Sequence, residues 1–125
     1  MKNIILAATL MAAPTALLAD RYDDKIAEKC GEVKEITYAA YLNSQQGTPL
    51  STTLSRLNTI YRDDEASFEW IGAFVVITYD IPEPPIDKSL IDAATELSET
   101  MSAVCTQQLE EAVAARVEEE DKVGM

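Results

Sequence analysis

Residues 87–120 read DKSLIDAATELSETMSAVCTQQLEEAVAARVEEE, and within them Leu90, Ala94, Leu97, Met101, Cys105, Leu109, Val113 and Val117 recur at steps of three or four. That spacing places the apolar side chains on one face of a single helix. Neither glycine nor proline interrupts the stretch, so it is predicted to form one long C-terminal helix, with Asp87 as its cap. Cys105 falls on the apolar stripe, and the chain's other cysteine is Cys30. A disulfide between them would tie the long helix to an earlier one.

The earlier partner is legible from residue 20 to about residue 43. There Tyr22, Ile26, Cys30, Val33, Ile36 and Ala40 keep helical spacing, while Asp23, Asp24, Lys25, Glu28, Lys29, Glu32 and Lys34 fall mostly on the other side. Asp20, Asp23 and Asp24 open this helix, where negative charge complements the helix dipole. Gly31 in its middle costs about 1 kcal/mol relative to alanine unless a neighbouring helix must come close. Close approach beside the disulfide is the expectation. After a polar loop, Thr48 and Pro49 suit a helix start, a threonine hydroxyl as cap and proline in the first turn. Leu50, Leu54, Leu57 and Tyr61 then form the stripe of a short second helix.

Residues 68–81 are harder to assign. Trp70, Ile71, Phe74, Val75, Val76, Ile77 and Tyr79 make a nearly continuous apolar run rich in residues that favour strands. A single strand has no ladder partner, however, and no other stretch alternates or carries a hairpin signal. The segment is therefore read as a buried third helix, with a strand as the alternative. Trp70, Phe74, Ile77 and Ile81 are expected to face the long helix, Gly72 and Ala73 admitting a close neighbour. Asp63, Asp64 and Ser67 are its candidate caps, and Pro82, Pro84 and Pro85 end it. The aromatic group Trp70, Phe74, Tyr79, Tyr38 and Tyr41 is read as core. The fold expected is all-α, a small four-helix bundle-like domain with one disulfide and a long last helix.

At the other end, Lys2 precedes an apolar run from Ile4 to Leu18 that closes on Ala19 before charged residues follow. This is the pattern of a cleaved signal peptide over residues 1–19. With Pro14 inside it, the run is short of the roughly 20 residues of a bilayer-spanning helix. A single helical domain over residues 20–117 and an acidic, flexible tail over 118–125 complete the expected organisation. Helix dipoles oppose acids at a C-terminus, so Glu118, Glu119, Glu120 and Asp121 are expected to fray. Export to the periplasm or beyond permits the disulfide, which in a small domain adds what a modest core lacks.

Composition narrows the function. The chain carries 22 acidic and 10 basic residues, a net charge of -12, and no histidine. Removing residues 1–19 takes away one lysine and no acid. Without histidine the commonest general base, the commonest zinc ligand and the usual Ser-His and Cys-His nucleophile pairs are missing. With the cysteines paired, a catalytic thiol goes too, and so many acids make a chance carboxylate pair uninformative. An enzyme is not expected. The four glycines are too scattered to cradle a phosphate, and the run at 118–121 lacks the spacing of a calcium-binding loop, so no cofactor or metal is expected. Phosphate backbones and anionic lipids repel such a charge; a basic secreted protein is attracted by it. Glu110, Glu111, Glu118, Glu119, Glu120 and Asp121 are the candidate contacts for that partner.

The order of these features, Cys30 in a first helix, Gly47 before the Leu50-Ser51 helix start, an apolar segment ending in Tyr79 and prolines, and Cys105 in the last helix, resembles a broad set of small, uncharacterised secreted proteins of Gram-negative bacteria. The likeness spans roughly residues 26 to 106 and implies a compartment and a helical fold rather than an activity. Size, helicity and two cysteines also resemble the HdeA-type acid-activated periplasmic chaperones, from which the chain departs in its wider cysteine spacing and greater acidity. The expected function is thus a periplasmic or secreted, non-enzymatic module that binds another protein, as inhibitor or immunity proteins do. A periplasmic acid-stress chaperone is the alternative, and apolar-dye binding that stays low from about pH 7 to about pH 2 would count against it.

Overall fold

A computed structural model describes the backbone of residues 2–123 and the side chains of residues 22–119. Among the described residues there are four helices and no strand: α1 (Lys2–Gln45), α2 (Leu50–Ile60), α3 (Glu65–Tyr79) and α4 (Leu90–Val123). The chain divides into two compact units. One is Cys30–Cys105; the other consists of Met1–Lys29 and Thr106–Met125, called the arms below.

The Cys30–Cys105 unit draws on all four helices. Its buried side chains are Cys30, Val33, Thr37, Ala40 and Tyr41 of α1, Thr53 and Leu57 of α2, Ser67, Ile71, Phe74, Val75 and Thr78 of α3, and Ala94, Ser98, Met101 and Cys105 of α4. The predicted disulfide is present, with Cys30 and Cys105 Cα atoms 5.6 Å apart. Beside it the Ser102 hydroxyl donates to the Cys30 carbonyl at 3.0 Å, so α1 and α4 are joined by a covalent and a polar link at one level. The deeply buried hydroxyls need no distant partner: Thr37 donates to the Val33 carbonyl at 2.7 Å and Thr78 to the Phe74 carbonyl at 2.8 Å, each one turn back on its own helix.

The segment 68–81 is helical, as expected, but it is turned about its axis from the predicted orientation. Ile71, Phe74, Val75 and Thr78 point inward with Gly72, whereas Ile77 is 49% exposed and Ile81 and Trp70 are only half-buried. Its close neighbour is α2, since a methyl added at Gly72 would meet Leu54 and Leu57 side chains at 3.9 Å, ordinary contact. Ala73 faces solvent. Asp64 caps α3, its carboxylate accepting from the Ser67 backbone N–H at 3.1 Å and the Ser67 hydroxyl at 2.6 Å.

Three local expectations need correction. Gly31 has nothing within 4 Å of the place a Cβ would occupy, so no helix exploits the missing side chain. Thr48 does not cap α2, which begins at Leu50 with Pro49 in the cap position and no side-chain cap. Thr48 belongs instead to the end of α1: its N–H donates to the Asn43 carbonyl at 2.9 Å and that of Gly47 to Ser44 at 3.2 Å, the paired closure of a Schellman motif. Gly47 there has φ +85°, a left-handed conformation that glycine adopts freely. Asp87 is likewise not the cap of α4. It sits in the turn closed by the Lys88 N–H on the Pro85 carbonyl at 3.0 Å, and Ser89 accepts from the Asp92 N–H at 3.0 Å instead.

Polar ties hold the helix ends of this unit. A phenol has one proton, and Tyr79 gives its own to the Thr48 carbonyl at 2.9 Å. The 2.6 Å contact between Tyr79 and Thr53 hydroxyls is therefore donated by Thr53. Tyr41, 2% exposed, donates to the Pro82 carbonyl at 3.1 Å and so anchors the proline segment. Tyr61, just past α2, hydrogen-bonds Glu32 of α1; burial first, then the Glu32 charge, push its phenol up to about 12.

Candidate functional site

The arms are built differently. Among their described residues only Ile26 is buried, at 7% exposed. The stripe predicted on α4 continues past Cys105 as Leu109, Val113 and Val117, each half-buried. A helix turns the same face inward every three or four residues, and here that face is only partly covered.

An open groove of about 580 Å³ results, lined among the described residues by Asp23 and Ile26 of α1 and by Glu110, Val113, Ala114, Val117 and Glu118 of α4. Ile26, Val113, Ala114 and Val117 form an apolar floor. The rim is acidic on both sides, with Asp23 on one helix and Glu110 and Glu118 on the other, all three exposed. The described lining residues all follow the predicted processing point at Ala19, so these seven are present in the exported form that the sequence predicts.

Of the six acids predicted to meet a partner, the structure brings Glu110 and Glu118 to this groove. Glu111 is exposed and accepts from the Gln107 side chain at 3.4 Å, and Glu119 is exposed without lining the groove. The side chains of Glu120 and Asp121 lie outside the described residues, although α4 itself continues to Val123, through the acids expected to fray. Asp23 was predicted only to serve the helix dipole. A signal for its second role was present: it stands seven residues before Cys30 and Val113 eight after Cys105, so an antiparallel pairing through the disulfide brings the two side by side.

Among the described residues, a smaller depression of about 330 Å³ is lined by Tyr41, Glu83, Lys88 and Glu96 together with Pro82, Pro84 and Pro85. There Lys88 pairs with Glu96, the hydrogen bond between them raising the lysine above its ordinary range. Tyr41 is also raised, by burial and then by Glu83. Its hydroxyl is already committed to the Pro82 carbonyl.

Among the described residues no group of three or more cysteine, aspartate or glutamate side chains is placed to hold a metal ion, and no helix is long and apolar enough to cross a membrane. What the arm groove can do chemically is take up apolar surface between carboxylates. No protein-family model matches the chain, and no curated protein or solved structure is found to match it either.

Proposed function

We propose that this chain is an exported, non-enzymatic module that binds a basic secreted protein, in the manner of an inhibitor or immunity protein, through the acid-rimmed groove of its arms. The observation that carries this is the groove itself: Ile26, Val113 and Val117 as floor, with Asp23, Glu110 and Glu118 around it. The division of labour follows from physics. Charge of one sign around a site, on a chain at net -12, speeds encounter with a basic partner and rejects acidic ones, an effect on rate more than on affinity. Affinity comes from apolar anchors that leave water at the centre of an interface, enclosed by a polar rim.

The test is capture from periplasmic extract at low salt by the wild-type protein and by a variant carrying Asp23→Asn, Glu110→Gln and Glu118→Gln. The expected result is a basic partner retained by the first, released as salt rises, and lost by the variant, whose melting temperature is unchanged. Failure to retain any basic protein at low salt, or equal retention by the variant, would contradict the proposal.

A further inference from the structure

Resting on that binding reading, we infer the form of the surface the groove receives: one face of a short, basic, amphipathic α-helix of the partner. The lining residues of α4 stand at positions 110, 113, 114, 117 and 118, and those of α1 at 23 and 26, so each wall is a single helical face. A cleft between two helical faces is the space a third helix fills, with axes 8–10 Å apart as is usual in packed helices. Ala114, small and exposed, leaves room at mid-floor between Val113 and Val117.

The other common ways of holding a peptide are not served here. Strand addition needs a sheet edge, and no strand exists among the described residues. A polyproline segment docks between aromatic rings, and none of the seven described lining residues is aromatic. Phosphorylated or acidic segments require clustered arginines, where this rim carries carboxylates.

The rim also fixes the pattern expected in the occupant. Glu110 and Glu118 are eight residues apart on one helix, about 12 Å at 1.5 Å per residue, with Asp23 across the groove. A helix of two to three turns fits, with apolar residues at i, i+3 or i+4, and i+7, and with lysine or arginine on both flanks. A second copy of this chain is a poor occupant. The whole chain carries 22 acidic against 10 basic residues, so two copies repel, and Arg116 is the one basic residue between positions 106 and 121.

Fluorescence polarisation with three labelled peptides tests this on the purified protein. The first is a leucine-lysine helix with its leucines on one face, the second has the same composition scrambled so that they share no face, and the third is oligolysine. The expected result is binding of the first at least tenfold tighter than the other two, with a gain of helical circular dichroism. Ala114→Gln, which fills the floor at an exposed helical site, and the pair Glu110→Gln with Glu118→Gln should each weaken it about tenfold. Equal binding of all three peptides would overturn the helical occupant while leaving a basic partner in place. Preferential binding of the first that neither variant weakens would overturn the groove as its site. Absence of binding by every basic peptide at low salt would overturn both this inference and the function it rests on.

Discussion

Val33, Thr37, Ile71, Val75, Ala94 and Cys105, all in the Cys30–Cys105 unit, expose no surface, whereas in the arms Ile26 is the one buried residue among those described. Both regions use the same apolar spacing on α1 and α4. What differs is the company: between the cysteines α2 and α3 add their own buried faces, so the stripe becomes core. In the arms the same stripe is left half-covered, and its rim is acidic. One sequence pattern therefore yields a buried interior in one region and a half-covered, acid-rimmed groove in the other. The sharpest way to break this comparison is to ask where stability resides.

Loss of the disulfide should be the largest effect. Replacing Cys30 and Cys105, 75 residues apart, by alanine should cost about 4 to 5 kcal/mol in the chain-entropy description, read by denaturant titration under oxidising conditions. A loss below about 1 kcal/mol would mean that the bracket does not hold the core. Ile71→Ala, at a site with no exposed surface, should cost roughly 2 to 5 kcal/mol. Val117→Ala in the arms, half-buried, should stay below about 1 kcal/mol, because only part of its apolar surface leaves water on folding. Equal losses at the two sites would erase the distinction between the regions.

Alkaline pH probes the Cys30–Cys105 unit through Tyr61. A phenol held at about 12 in the folded chain against about 10 when unfolded keeps its proton longer in the folded state. Its contribution is thus fully present below pH 10 and is lost as pH rises from 10 towards 12. Tyr61→Phe should flatten that decline, as measured by thermal melts across the range, and an unchanged slope would argue against the Glu32 tie. Smaller effects test the backbone. Gly47→Ala forces a left-handed φ on a residue with a Cβ and should cost about 1 to 2 kcal/mol. Gly31→Ala, with open space around it, should instead stabilise by about 0.5 to 1 kcal/mol.

Much of this was legible in the sequence, and the failures have physical causes. The stripe on α4 was readable because Leu90 to Val117 alternate with polar residues, giving the helix a clear inside. The segment at Trp70–Ile77 is apolar all round, which identified a buried element but gave no contrast by which to set its rotation. Nor does sequence alone show that Thr78 can turn inward by bonding its own helix while Ile77 turns out. Thr48 and Asp87 looked like caps, but each was claimed by a neighbouring turn, at Gly47 and at Pro85–Lys88, whose closure depends on where the preceding element ends. For the candidate site, Glu110 and Glu118 stood out as charge. Asp23 needed the antiparallel pairing of α1 and α4 beside the disulfide, and a cysteine pair alone fixes one point of contact, not the direction in which two helices run.

Hydrogen exchange followed by mass spectrometry, with and without the leucine-lysine helix, addresses the division of roles most directly. Slowed exchange on peptide addition should be confined to segments around residues 23–26 and 110–118, with exchange between Cys30 and Cys105 slow and unaltered throughout. Protection gained inside the Cys30–Cys105 unit and not in the arms would contradict it.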